Sequence, residues 1–201
     1  MNDLFQSAPN QNLLPYDGEV IDHGLVMSTT AAKNYFDLLW KEIEWKNDEA
    51  FIFGKHIITK RKVAWHGDQP YSYTYSNSTK QALPWSPALI KLKSLAEKSS
   101  GATYNSCLLN LYHDGSESMA WHSDGEKMLG ENMSIGSISL GATRKFVFKH
   151  KLSKLKIDLI LQPGSLIEMK GITQKHWLHR LPPTKLVKTP RINLTFRTIV
   201  E

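Results

Sequence analysis

His122 and Asp124 stand two apart in the run Ala120-Trp121-His122-Ser123-Asp124. On an extended segment that spacing turns both side chains to one side, because strand side chains alternate faces. Joined by one distant histidine they make a two-His-one-carboxylate set. Such a set holds non-haem iron(II) and leaves positions open for substrates and oxygen. His-x-Asp alone occurs by chance in many chains, and the closing run Arg191-Ile192-Asn193-Leu194-Thr195-Phe196-Arg197 adds the second half of the chemistry. Period two places Arg191, Asn193, Thr195 and Arg197 on one face and Ile192, Leu194 and Phe196 on the other. With the apolar face in a core, the opposite face holds two guanidiniums inside the protein, and buried unpaired charge is too costly to be incidental. Two such arginines ask for an anion, and guanidinium grips carboxylate in bidentate fashion. A metal with open positions beside a carboxylate clamp is what a 2-oxoglutarate-dependent oxygenase requires. His176 and His179 are equal candidates for the third metal ligand on chemistry alone.

Four motifs stand in chain order: Asn110-Leu111-Tyr112, His122-Ser123-Asp124, His179-Arg180-Leu181-Pro182 and the run Arg191 to Arg197. Together, from about Phe53 to Arg197, the chain resembles the AlkB family of Fe(II)/2-oxoglutarate-dependent nucleic-acid dealkylases, in particular its duplex-DNA branch. The resemblance implies Fe(II) as cofactor, with 2-oxoglutarate and O2 as co-substrates. It implies removal of alkyl groups from DNA bases, N1-methyladenine and N3-methylcytosine foremost and etheno adducts as further candidates, with release of aldehyde, succinate and CO2. It selects His179 as the third ligand, because the family's histidine precedes x-Leu-Pro and stands twelve residues before the first arginine (191 − 179 = 12). Both arginines fall in the co-substrate site, Arg197 towards the C1 carboxylate and Arg191 near the metal end or supporting it. Asn110, Tyr112, Asn193 and Thr195 add neutral hydrogen bonds; ordinary strand polarity is the plainer account of Asn110 and Tyr112.

The same resemblance assigns a substrate side. Tyr75 is the aromatic that stacks on a flipped base, and stacking replaces ~1–3 kcal/mol of what the base loses on leaving the duplex. Tyr73 is placed beside it, with sheet packing as its plainer role. Glu126 is an acidic group at the edge of a cationic methylated base. Phe53 is a finger tip that enters the stack, with Lys55 and Arg61 on nearby phosphates, unless Phe53 shares a core face with Phe51. Three basic groups, Lys60/Arg61/Lys62, Lys149/Lys151/Lys154 and Lys185/Lys188, read either as solvated loops or as phosphate contacts flanking the site. The rival functions are the same oxidation on RNA or a protein side chain, and a non-catalytic nucleic-acid-binding jelly roll whose metal site holds zinc.

Elements able to position these residues follow from pattern. Residues 1–17 lack any period and read as a loosely held arm, and residues 18–201 as one domain, with a nucleotide-recognition part at about 50–85 and a catalytic jelly roll at about 104–200. Glu19 to Val26 predicts a strand. Ser28 caps a helix through about Glu44 with Tyr35, Leu38, Leu39 and Ile43 inward, and Ser86-Pro87 starts another that ends before Gly101, with Ala88, Leu92, Leu95 and Ala96 inward. Cys107, Leu109 and Leu111 alternate with Leu108, Asn110 and Tyr112. Short alternating runs follow at Ser134–Leu140, Lys145–Phe148, Leu155–Leu161, Ser165–Met169 and Arg191–Ile199. Helices first and many short strands after predict an α+β chain: a double-stranded β-helix, or jelly roll, with the N-terminal helices packed on one sheet.

Composition agrees with a globular chain. Its 201 residues are 41% apolar and 22% charged, with a formal net charge of +6 that favours a polyanionic partner, here alkylated DNA. A single cysteine, Cys107, excludes an internal disulfide and favours a reducing compartment, the cytoplasm or, in a eukaryote, the nucleus. Nothing reads as a signal peptide or membrane span, and a monomer is expected.

Overall fold

The computed structural model describes residues 11–52, 55–75, 78–125, 127–130 and 133–200. Two helices and two antiparallel sheets form the body. β1 (Glu19–Leu25) precedes α1 (Thr29–Glu42). The hairpin β2 (Lys46–Ile52) and β3 (Lys55–Gly67) follows, then a small hairpin of β4 (Ser72–Tyr75) and β5 (Ser78–Gln81), and α2 (Pro87–Ser100). The remaining strands are β6 (Ser106–Tyr112), β7 (Met119–His122), β8 (Ile135–Gly141), β9 (Arg144–His150), β10 (Lys156–Leu161), β11 (Ser165–Lys170), β12 (Trp177–Leu181) and β13 (Arg191–Arg197), with the short α3 (Thr173–His176) before β12. The large sheet has the order β1-β11-β8-β13-β6-β3-β2, and the small one β10-β9-β12-β7. These two facing antiparallel sheets are the jelly roll that the alternating runs predicted.

Both helix caps are as expected. The Ser28 hydroxyl accepts from the Ala31 N–H, the Ser86 hydroxyl accepts from the Leu89 N–H, and Gly101 ends α2 at φ +73°, a conformation side chains disfavour. The inward faces differ in detail. Leu39, Ile43, Ala88, Leu92 and Ala96 are buried, but Leu38 is exposed and Leu89 takes a core place not assigned to it. These residues share one apolar cluster with Cys107, Leu109, Leu111, Ile138, Leu140, Ile192, Leu194 and Phe196 from β6, β8 and β13. The helices thus pack on the outer face of the large sheet. Its inner face joins the small sheet in a second cluster with Ile135, Ile167, Phe146, Phe148, Trp177 and Leu181.

Two expectations need correction. The arm is not loose from residue 11 onward: Leu14 is buried, Asn12 bridges to Ile21, and Trp177 donates from Nε1 to the Tyr16 carbonyl at 3.1 Å. The basic triplet Lys60/Arg61/Lys62 is not a loop, since it lies within the long strand β3. Among the described residues, no helix is long and apolar enough to cross a membrane.

Candidate functional site

Three neighbouring strands build one wall of the cleft between the sheets. β13 runs between β6 and β8, and its register sets Arg191 opposite Tyr112, Asn193 opposite Asn110 and Ser139, and Thr195 opposite Leu108 and Ser137. Because Ile192, Leu194 and Phe196 are fully buried on the helix side, every other β13 residue turns into the cleft. The polar face is therefore forced by the apolar one.

The small sheet supplies the opposite wall. β12 lies between β9 and β7, and its register pairs His179 directly with His122 on one side and Phe148 on the other. The two imidazoles have centroids 4.2 Å apart, and Phe146 stacks on His179 at 5.5 Å. The ring is held by packing. Asp124 sits beyond the end of β7, so strand alternation does not explain its position, contrary to expectation. A loop does: the Asp124 N–H donates to Gln174 Oε1 of α3 at 2.9 Å. Candidate ligand atoms of His122, Asp124 and His179 all lie within 4.8 Å of one another, with His122 Nε2 3.8 Å from an Asp124 carboxylate oxygen.

The protonation states suit a metal. His122 Nδ1 faces the Ala120 carbonyl at 2.9 Å; a carbonyl only accepts, so Nδ1 donates there and Nε2 is the ring nitrogen turned towards Asp124. Burial, reinforced by His122, Arg197 and Lys151 against the pull of Asp124, pushes the His179 imidazole down to about 3, so it is neutral near pH 7. Burial pushes the Asp124 carboxyl upward, but attraction to Arg197 and then to His179 and His122 outweighs it, and the net shift is downward. Two imidazoles and one carboxylate are the donor set that a divalent first-row metal takes.

The arginines divide the cleft. Arg197 reaches the other Asp124 oxygen at 3.1 Å and so stands at the metal end. Arg191 lies at the opposite end of β13, not near the metal as expected, and is buried with 1% of its surface exposed. Among the described residues it donates only to neutral groups, Ser139 Oγ at 2.9 Å and Asn193 Oδ1 at 3.4 Å, and its Nε has no partner there. Among the described residues no carboxylate pairs with it, and burial pushes the guanidinium down to about 10. An uncompensated buried cation beside a Tyr112 ring 5.7 Å away is shaped for an incoming carboxylate. Between the two arginines, Asn193 is tied to Ser137 and the Ile138 carbonyl, and Thr195 is buried beside it.

Asn110 and Arg197 also line a cavity of about 410 Å³, with Arg61, Asp48, Trp65, Leu108 and Met119 among its walls. Arg61 points into it, donating to Asn110 Oδ1 at 2.7 Å and pairing with Asp48. That corrects its assignment to phosphates: the side chain is turned inward and already bonded. Tyr73 and Tyr75 share a face of β4, but their side chains, like Phe53 and Glu126 entirely, lie outside the described residues.

Sequence reasoning missed Ser137 and Ser139, which alternation along β8 puts on the cleft face, and Arg144. Arg144 starts the stripe Arg144-Phe146-Phe148-His150, so extending the β9 alternation by one residue would have found it.

Residues 20–197 match the 2OG-Fe(II) oxygenase superfamily. The chain belongs to that family. Within it, the dioxygenase is 36% identical over 195 residues to the DNA oxidative demethylase ALKBH2 of Bos taurus, a match covering 92% of this chain and 70% of the relative. It is 38% identical over 180 residues to the alpha-ketoglutarate-dependent dioxygenase alkB homolog 3 of Bos taurus, covering 84% and 62%. The solved structure of OsALKBH1 shares the fold at a TM-score of 0.63 and 13% identity, over 92% of this chain and 98% of that one. This is an AlkB-type dioxygenase, and its cofactor and co-substrates are Fe(II), 2-oxoglutarate and O2. The His-Asp-His donor set and the unmatched charge of Arg191 fit that pair of ligands.

Proposed function

We propose that this dioxygenase repairs DNA by oxidative removal of alkyl groups from damaged bases, with N1-methyladenine and N3-methylcytosine as its substrates. The observation that carries the reading is the line from His179 and His122 through Asp124 to Arg197 and along β13 to the unmatched Arg191. A cation-lined row of polar side chains beside a metal-binding cluster suits a small dicarboxylate. The demethylase names of the relatives supply the substrate class.

His122, Asp124 and His179 hold the metal in this reading, and Arg191 takes the far carboxylate of 2-oxoglutarate by a two-pronged contact, with Tyr112 beside it. Arg197 steadies Asp124 and lies towards the C1 end, where Asn110 adds a neutral donor. When bound, Fe(II) with O2 and 2-oxoglutarate supplies the oxidation that converts the N-alkyl carbon to a hydroxyalkyl group, releasing succinate and CO2. The hydroxyl proton then passes to the ring nitrogen as the C–N bond breaks, giving an aldehyde and the free base. The protein's part is to hold the alkyl carbon near the metal and exclude water. Trp65, Leu108 and Met119 give the 410 Å³ cavity an apolar wall against which a base can lie. Tyr75 and Tyr73 act as stacking faces, Glu126 as an acidic group at the base edge and Phe53 as the wedge that fills the duplex gap. The parts at about 50–85 and 104–200 divide accordingly into base recognition and catalysis.

Succinate release stimulated by an N1-methyladenine oligonucleotide, dependent on oxygen and iron, tests the reading. Equal turnover with unmethylated DNA, or none with either, contradicts it.

A further inference from the structure

A second histidine–carboxylate cluster lies outside the cleft. Ligand atoms of Asp17, His150 and His176 fall within 4.8 Å of one another. His150 Nε2 is 3.3 Å from an Asp17 carboxylate oxygen, and the His150 and His176 rings stack nearly parallel at 6.4 Å. Three separate segments meet here: the N-terminal segment, the end of β9 and the end of α3. From these residues we propose that the protein binds a second divalent metal ion of the zinc class, through His150, His176 and Asp17.

Two observations beyond the clustering point to a ligand. First, His150 is only 3% exposed, and its Nε2 faces the Asp17 carboxylate at 3.3 Å without forming a well-aligned hydrogen bond to it. A buried ring nitrogen set against a carboxylate at this spacing, with no well-formed hydrogen bond between them, is the arrangement two ligands of one cation adopt. Second, the surroundings are built to hold the ring. Tyr16 meets His150 edge-on at 5.0 Å, Trp177 lies 5.0 Å away on another side, and Trp177 also fixes the Tyr16 carbonyl beside Asp17. Asp17 itself is held at φ +52°, an uncommon conformation for a residue with a side chain.

The donor chemistry fits. Two imidazoles and a carboxylate, partly open to solvent at Asp17 and His176, leave room for a water as fourth ligand, the arrangement zinc takes at about 2.0–2.2 Å bond lengths. Metal on Nε2 requires the ring proton on Nδ1. Ser153 Oγ, 2.9 Å from Nδ1, is placed to accept it, at the expense of the contact that Nδ1 now receives from the Ser153 N–H. Such an ion would tie the N-terminal segment to α3, and α3 carries the Gln174 that holds the Asp124 loop. The second site is therefore one short helix away from the first, and separate from it.

Equilibrium dialysis of the chelator-stripped full chain against micromolar Zn2+ counts the sites directly. Two equivalents are expected for the native chain. His176→Gln and Asp17→Asn should each retain one, His122→Ala should retain one, and His122→Ala combined with His176→Gln should retain none. In the His122→Ala background, zinc should raise the melting temperature, and adding His176→Gln should remove that rise. One equivalent in the native chain, or two that persist in both His176→Gln and Asp17→Asn, would overturn the second site and leave the dioxygenase centre untouched.

Discussion

Two buried arginines lie against Tyr112, Arg191 at 5.7 Å and Arg144 at 5.9 Å from its ring, and they have opposite fates. Both are almost fully buried. Arg144 donates to the backbone carbonyls of Asp114, Gly115, Glu117 and Pro182, so its charge is spread over four backbone dipoles and it staples two loops together. Among the described residues, Arg191 donates to a hydroxyl and a side-chain amide only. Burial depresses both guanidiniums, but only the surroundings of Arg144 compensate in kind. Equal burial thus means architecture in one place and a waiting ligand site in the other. What separates them is the count of acceptors around the charge.

The largest expected effect comes from Arg191→Met. Losing one partner of a buried charge pair costs ~3–5 kcal/mol, so the 2-oxoglutarate KM should rise on the order of 100- to 4000-fold. The apo protein should melt no lower than the native one, because an uncompensated cation has been replaced by an apolar side chain. Succinate release titrated with 2-oxoglutarate, and a melting curve without it, measure both halves. A drop in apo stability would place Arg191 with Arg144 as a structural residue.

Arg144→Met should show the reverse. It takes a donor from partly buried loop carbonyls, at up to roughly 1–3 kcal/mol for each left unpaired, and in a chain of this size each kcal/mol lowers the melting temperature by about 2–4 °C. The 2-oxoglutarate KM of whatever remains folded should stay near native. Arg197→Lys should be milder, because a point charge still faces Asp124 but no longer as a planar fork. Iron affinity should fall several-fold in that variant, measured by iron titration of activity, and an unchanged titration would detach Arg197 from the metal end. The smallest effect belongs to Ser139→Ala. Removing one neutral hydrogen bond to Arg191 is worth ~1 kcal/mol, about a five-fold rise in the 2-oxoglutarate KM.

Legibility from sequence followed the same division. Arg191, Asn193, Thr195 and Arg197 were readable because their partners on the strand, Ile192, Leu194 and Phe196, alternate without a break and leave no choice of face. The caps Ser28, Ser86 and Gly101 were readable because capping is local chemistry. β12 went unseen because Trp177 to Leu181 is five residues long between a helical turn and a proline pair, too short for a period to declare itself. The Asp124 position depends on Gln174, fifty residues away in the chain, and no local rule reaches that far. Arg61 illustrates the same limit: a basic triplet resembles a surface loop until Asp48 and Asn110 are seen to enclose its middle member.

Ligand-induced stabilisation tests the contrast between the two arginines most directly, since anything that binds the folded state alone raises its melting temperature. Melting of the metal-loaded, oxygen-free native protein, Arg191→Met and Arg144→Met should be compared with and without saturating 2-oxoglutarate. The native protein and Arg144→Met should both gain stability, Arg144→Met from a lower starting point, while Arg191→Met should gain none. A full gain in Arg191→Met would contradict the assignment of Arg191 as the carboxylate clamp.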